Sequence, residues 1–170
     1  MKPFTLLTRA TVLGLVLLGA VACTHAQQVH ESEEVRLTAQ AAYDSFAKGW
    51  ATGDFEPYLA MLTEDFEFSY PLGEHRGRFT GAEGRAHMVD KVRAHSSRGE
   101  RLTLLSPTRV AVTGHTVFFE FDSEGRFGDY EYRGHNVIAF DVTGERISAF
   151  REFLGDLDTA FVCTPAPGGG

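Results

Sequence analysis

A chain of 170 residues with 43% hydrophobic content and fourteen Phe is long enough for one ordinary domain with a sizeable core, and for little else. Its formal charge of −7, with no basic run to offset it, argues against nucleic acid and anionic lipid headgroups as partners. Two isolated cysteines, Cys23 and Cys163, do not make a metal site.

The opening stretch MKPFTLLTRATVLGLVLLGAVAC carries Lys2 and Arg9 ahead of an uncharged apolar run from Ala10 to Ala22. That run is short for a membrane span and has the layout of a secretory signal covering residues 1–22. Two processing routes fit it. Ala20 and Ala22 suit ordinary cleavage before Cys23. GAVAC also resembles a bacterial lipobox, in which Cys23 is lipidated and becomes the mature N-terminus, with Ala20 where Leu is usual. The expectation is an exported chain held at the cell envelope by lipid on Cys23, the alternative being a soluble periplasmic or secreted protein. Membrane contact is expected only through that anchor. Losing residues 1–22 removes two cations and no acid, which takes the charge from −7 to −9. With Cys23 acylated, Cys163 is unpaired; otherwise the two could bridge in an oxidising compartment.

Residues 23–31 read as a polar tether, 32–162 as the domain and 163–170 as a disordered tail. A helix is expected from Ser32, a good N-cap followed by Glu33 and Glu34. Val35, Ala39, Ala42, Tyr43, Phe46 and Trp50 recur every three or four residues as its apolar face, and Gly53 stops it. Asp54 caps a short helix, DFEPYLAML, whose Pro57 lies in the first turn, with Phe55, Leu59 and Leu62 buried. Phe66, Phe68 and Tyr70 then alternate with Glu67 and Ser69, a half-buried strand that Pro71 ends. Thr80 and Glu83 are spaced as a capping box for a third helix, with Ala82, Ala86, Val89 and Val92 on one side and Gly99 after it. Strands follow to the end of the domain. RLTLLSPTRVAV, with an edge or bulge at Pro107, meets HTVFFEFD through Thr113-Gly114. SEGR is expected to turn the chain into FGDYEYRGHNVIAFDV, and TGE leads into RISAFREFL. This order predicts an α+β fold: a cone-shaped, curved antiparallel sheet wrapped around three N-terminal helices, its mouth able to hold a ligand.

Two stretches carry a family resemblance, GWATGDFEPYLAMLTEDFEFSYPLG and VIAFDVTGERISAFREF. From about Val35 to Phe161 the chain resembles the nuclear transport factor 2-like superfamily and, within it, the SnoaL-like and ketosteroid-isomerase-like proteins. The resemblance implies a cystatin-like roll and a homodimer through the outer face of the sheet. It does not fix an activity, since the superfamily holds isomerases, cyclases, dehydratases, epoxide hydrolases and non-catalytic members. Laid over ketosteroid isomerase, Tyr70-Pro71-Leu72-Gly73 fall on its Asp-Pro-Val-Gly base motif, which puts Tyr70 in place of the proton-abstracting carboxylate. Phe46 falls on the oxyanion-hole tyrosine and Asn136 on the oxyanion-hole aspartic acid. A phenol titrating near 10 is mostly protonated at neutral pH, Phe46 has no proton to share, and Asn136 offers one neutral amide. The usual isomerase chemistry is not expected here.

The primary expectation is therefore an exported SnoaL-like domain that binds a small apolar or amphipathic molecule without reacting with it. Phe46, Trp50, Phe68, Tyr70, Tyr132, Asn136 and Ile138 are expected to line its cavity. The alternative is a cofactor-independent SnoaL-like enzyme, an isomerase, cyclase, dehydratase or hydrolase, with His135 or Glu152 as base. His135 titrates near neutrality, but alternation with Asn136 puts it on the outer face unless a bulge at Gly134 intervenes. Glu152 lies on the last strand, where its plainer reading is a surface ion pair with Arg151. No metal-ligand pattern and no Gly-rich phosphate loop is present, so no cofactor is expected.

Overall fold

The computed structural model describes residues 32–127 and 130–157. The leader, the tether, both cysteines and the tail lie outside the described residues. The architecture below is that of the compact unit Val35–Gly170, with the three described residues that precede it.

Helix α1 spans residues 32–52. Its expected stripe is its buried face: Val35, Ala39, Ala42, Tyr43, Phe46 and Trp50 are all at most 6% exposed. Gly53 ends it with φ +86°, a conformation that costs glycine nothing, and its N–H donates to the Gly49 carbonyl. Asp54 Oδ1 accepts from the Glu56 N–H at 3.2 Å, opening the single turn α2, Glu56–Leu59, with Pro57 in its first turn. Phe55, Tyr58, Leu59 and Leu62 are buried beneath it.

Strand β1, Leu62–Tyr70, pairs antiparallel with the short β2, Gly77–Phe79. A 3₁₀ turn at Gly73–His75 separates them. Helix α3, Gly81–Ser97, then lies against β1. A Cβ on Gly84 would fall 2.2 Å from the Phe66 carbonyl oxygen, so only glycine permits this approach. Two expectations fail on this helix. Thr80 stands at the N-cap but makes no side-chain cap bond. The buried stripe is Gly84, Met88, Lys91 and Val92, while Ala82 and Ala86 face solvent. The stripe is set by the closest backbone approach, at Gly84, rather than by the alanines.

Strands β3 (Arg101–Leu104), β4 (Arg109–Thr113), β5 (Thr116–Phe127), β6 (Tyr130–Thr143) and β7 (Arg146–Leu157) complete the sheet. Among the described residues it has seven strands in the order β2-β1-β7-β6-β5-β3, with β4 also on β5. All neighbours are antiparallel except β1 and β7. The fold is α+β, helices against one curled sheet. β3 and β4 share β5 end to end, and the break between them holds Pro107. SEGR is not a turn: β5 runs straight through it, because β6 on one side and β3 on the other satisfy its backbone.

Register slips place the inward residues of β7. Asp141 and Val142 of β6 face Ala149 and Ile147, which inserts Ser148 as an extra residue. Ile147 and Phe150 are both fully buried although three apart, and from Phe150 onward the even positions face inward.

Candidate functional site

Between α1, α3 and the inner face of the sheet lies a cavity of about 310 Å³. Its wall is mostly apolar. Helix α1 contributes Phe46 and Trp50, the end of β1 Tyr70, and β3 Leu102 and Leu104. Phe121, Phe127 and Leu154 come from β5 and β7. Gly134 shapes one corner, since a Cβ there would meet the Tyr132 hydroxyl at 2.2 Å. Its bare backbone lets Tyr132 donate to Asn136 Oδ1 at 3.3 Å, while Asn136 Nδ2 donates to Ser123 Oγ at 2.6 Å. The other direction left to that amide goes to the Gly134 carbonyl at 3.4 Å. The Asn136 amide is therefore engaged with its own neighbours.

Against this wall stand two opposite charges. Lys91 reaches in from α3 and is 2% exposed; Glu152 reaches in from β7, and Nζ lies 3.9 Å from Oε2. That is too long for a hydrogen bond. Glu152 Oε2 has no hydrogen-bond partner among the described residues. The ammonium lies over two rings, 4.4 Å from the Tyr70 centroid and 5.1 Å from that of Trp50. Two unit charges 3.9 Å apart attract by about 4 kcal/mol at an effective dielectric constant of 20. Removing both ions from water costs several kcal/mol each, so the attraction offsets only part of it. Both groups are accordingly displaced toward neutrality. Burial pushes the Glu152 carboxyl up, against the pull of Lys91. Burial pushes the Lys91 amine down, against Glu152 and Glu100.

Burial, then the Glu152 charge, then Tyr132, raise the Tyr70 phenol, so it stays protonated. His95, one turn beyond Lys91 on α3, packs tilted against Trp50, ring centroids 4.9 Å apart, and is pushed down to about 4, by burial first and by Lys91 second. Its Nδ1 contacts Glu100, which also accepts two hydrogen bonds from Arg98 at 2.8 and 3.1 Å. A second recess of about 430 Å³ shares Tyr70, Leu72, Lys91 and His95 with the cavity and adds Glu74, His75 and Arg98. Among the described residues no group of three or more His, Cys, Asp or Glu could hold a metal ion.

Of the side chains singled out in the sequence, Phe46, Trp50, Tyr70, Tyr132, Asn136 and Glu152 are on the cavity wall. Phe68 and Ile138 are not: both are fully buried core, Phe68 stacked on Phe150 at 5.9 Å. His135 is on the outer face of the sheet, with Nδ1 2.7 Å from Asp122 and Nε2 3.3 Å from Glu120. The bonded Asp122 carboxylate raises its pKa. The register of β6 against β7 does shift between Gly134 and Asn136, but β6 stays in regular register with β5 there, so His135 keeps to the outer face and cannot act in the cavity. The pairing of Glu152 with Arg151 is also corrected. Adjacent strand residues point to opposite faces, and Arg151 instead makes two bonds to Asp141 at 2.6 and 2.7 Å. A cavity of only apolar and neutral groups is thus replaced by one with Lys91 and Glu152 in its wall. Lys91 is a wall residue that the sequence does not single out, and His95, which lacks the i, i+4 spacing to His87 that a metal pair needs, joins it there. The signal was their place on the helical stripe that starts at Gly84 and Met88, where a charged residue is exceptional.

The match to known proteins falls on this same domain. Residues 43–150 match the SnoaL-like domain model. The chain belongs to the SnoaL-like family. Among solved structures it is similar to an NTF2-like protein from Anabaena variabilis, at 32% identity and TM-score 0.68, over 74% of this chain and 92% of that one. It also shares its fold with an LEH-like epoxide hydrolase of M. tuberculosis, at 20% identity and TM-score 0.53, over 74% and 85% of the two chains. A candidate polyketide cyclase from Xanthomonas campestris matches at 22% identity and TM-score 0.57, over 74% and 93%. These last two likenesses concern the fold alone. No curated protein matches the chain in sequence.

Proposed function

We propose that this SnoaL-like domain binds a small, largely apolar molecule by its greasy body and moves a proton at its polar end, with Glu152 as the acid–base group. The observation that carries this reading is one buried carboxylate, 3.9 Å from one buried ammonium, on a mostly apolar wall. A carboxyl raised toward neutral pH is matched to proton transfer there. Lys91 would stabilise negative charge growing on a substrate oxygen, in surroundings where water screens little.

The test is hydrogen exchange next to a carbonyl. Cyclohexanone and acetophenone in D₂O, followed by NMR, should exchange faster with the protein than in buffer. Glu152→Gln should slow that exchange by about 10²-fold, and His135→Ala should leave it unchanged. Binding without reaction is the second reading, favoured by Phe46 and by the engaged Asn136 amide, which leave few free donors. It prevails if the ketones alter Trp50 fluorescence and no exchange exceeds that of buffer.

Export with lipid on Cys23 is also proposed, supported by Lys2, Arg9 and the apolar run that precedes GAVAC. Labelled palmitate should enter the wild-type chain in a bacterial host and not Cys23→Ser; label in neither would refute lipidation.

A further inference from the structure

We infer that Lys91 is a nucleophile that condenses with an aldehyde or ketone held in the cavity to form an imine, with Glu152 passing the protons. This rests on the reading that the cavity takes a small, largely apolar guest, and it names a carbonyl as that guest's polar end.

Three lysines occur in the whole chain, Lys2, Lys48 and Lys91. Lys48 is exposed on α1, whereas Lys91 is spent on the buried stripe of α3 with its amine on the cavity wall. Met88 and Val92 on the same stripe are fully buried, so the helix holds the Lys91 stem in place. At 3.9 Å from Glu152 the amine is close enough to exchange a proton after a small movement, yet is not locked in a hydrogen bond. Moving one proton from Lys91 to Glu152 leaves the pair neutral in sum and removes both charges from an apolar site. Burial favours that direction for each partner. The product is an amine with a free lone pair beside a protonated acid, which are the two forms imine chemistry needs.

The step balances within the cavity. The Lys91 nitrogen bonds to the carbonyl carbon, the carbonyl oxygen takes the Glu152 proton, and the nitrogen returns one to Glu152. The carbinolamine then loses its hydroxyl as water, using that same Glu152 proton. The result is a protonated imine on Lys91 next to the Glu152 carboxylate, with one water released and no redox partner required. The ion pair is thereby rebuilt with the guest attached. A volume of about 310 Å³ suits a monocyclic guest, at the small end of ligand pockets.

The test treats the full chain with benzaldehyde and cyanoborohydride, which reduces an imine to a stable amine. Intact mass and peptide mapping then locate the adduct. Trp50, the single tryptophan and a wall residue, reports occupancy of the cavity by fluorescence in parallel. The expected result is one adduct, on Lys91, formed at least about tenfold faster than on Lys48, and slowed about 10²-fold in Glu152→Gln. Mapping on the wild-type chain needs no variant to fold. A fluorescence response with no adduct on Lys91, or an adduct on Lys48 alone, overturns the imine while leaving the cavity as a binding site. No fluorescence response and no Lys91 adduct removes both readings.

Discussion

Replacing Lys91 by Met leaves Glu152 alone in an apolar cavity, and replacing Glu152 by Met leaves Lys91 alone. The pair contributes about 4 kcal/mol of attraction at 3.9 Å, so each single variant should lose up to that amount. The orphaned group then decides how the loss varies with pH. In Lys91→Met the folded pKa of Glu152 lies above its unfolded value. Its contribution is complete below the unfolded carboxylate range and is lost as pH rises through the folded value. In Glu152→Met the folded pKa of Lys91 lies below its unfolded value, so stability rises as pH climbs through the folded value. The two single variants therefore have opposite slopes. The double variant should match or exceed the wild type, since exchanging a buried ion pair for apolar side chains is neutral or stabilising by about 1–4 kcal/mol. Urea unfolding followed by Trp50 fluorescence at about pH 5, 7 and 9 measures all four chains. Single-variant losses that add in the double to within about 0.5 kcal/mol would refute the coupling.

Acid should destabilise the wild type between pH 6.5 and about 4, because His95 is neutral in the fold and charged when unfolded over that window. The loss across it is about 3 kcal/mol, and His95→Gln should flatten the slope in the same urea assay. Gly84→Ala should destabilise by about 1–3 kcal/mol, despite the gain in helix propensity, since the new Cβ overlaps the Phe66 and Phe79 carbonyl oxygens; a raised melting temperature would contradict the packing of α3. If two copies join through the outer face of the sheet, Phe153→Glu, at a position 53% exposed there, should shift sedimentation equilibrium toward monomer. An unchanged mass would exclude that surface.

The first helix was legible because its stripe of six apolar side chains has no competing reading, and burial follows it residue for residue. The β1 alternation ending at Tyr70 was legible for the same reason. SEGR misled because Ser, Glu and Gly favour turns only when no neighbouring strand takes their backbone groups, and β3 and β6 both do. On α3 the alanines suggested one face, while Gly84 set another through contact between backbones. The site was half legible. Glu152 was in view, but its nearness in sequence to Arg151 suggested a surface pair, and the signal against that is its even spacing from Phe150 and Leu154, which puts it on the inner face. Lys91 is not legible because lysine is ordinarily solvated, and its buried place depends on a partner 61 positions away that only the closed sheet brings near.

Proton transfer in the cavity depends on the protonation of Glu152, which carboxyl-carbon NMR with labelled glutamate reads directly. Glu152 should titrate above the exposed glutamates in the wild type and higher still in Lys91→Met. A Glu152 resonance that titrates together with those of the surface glutamates, and does not respond to the loss of Lys91, would contradict it.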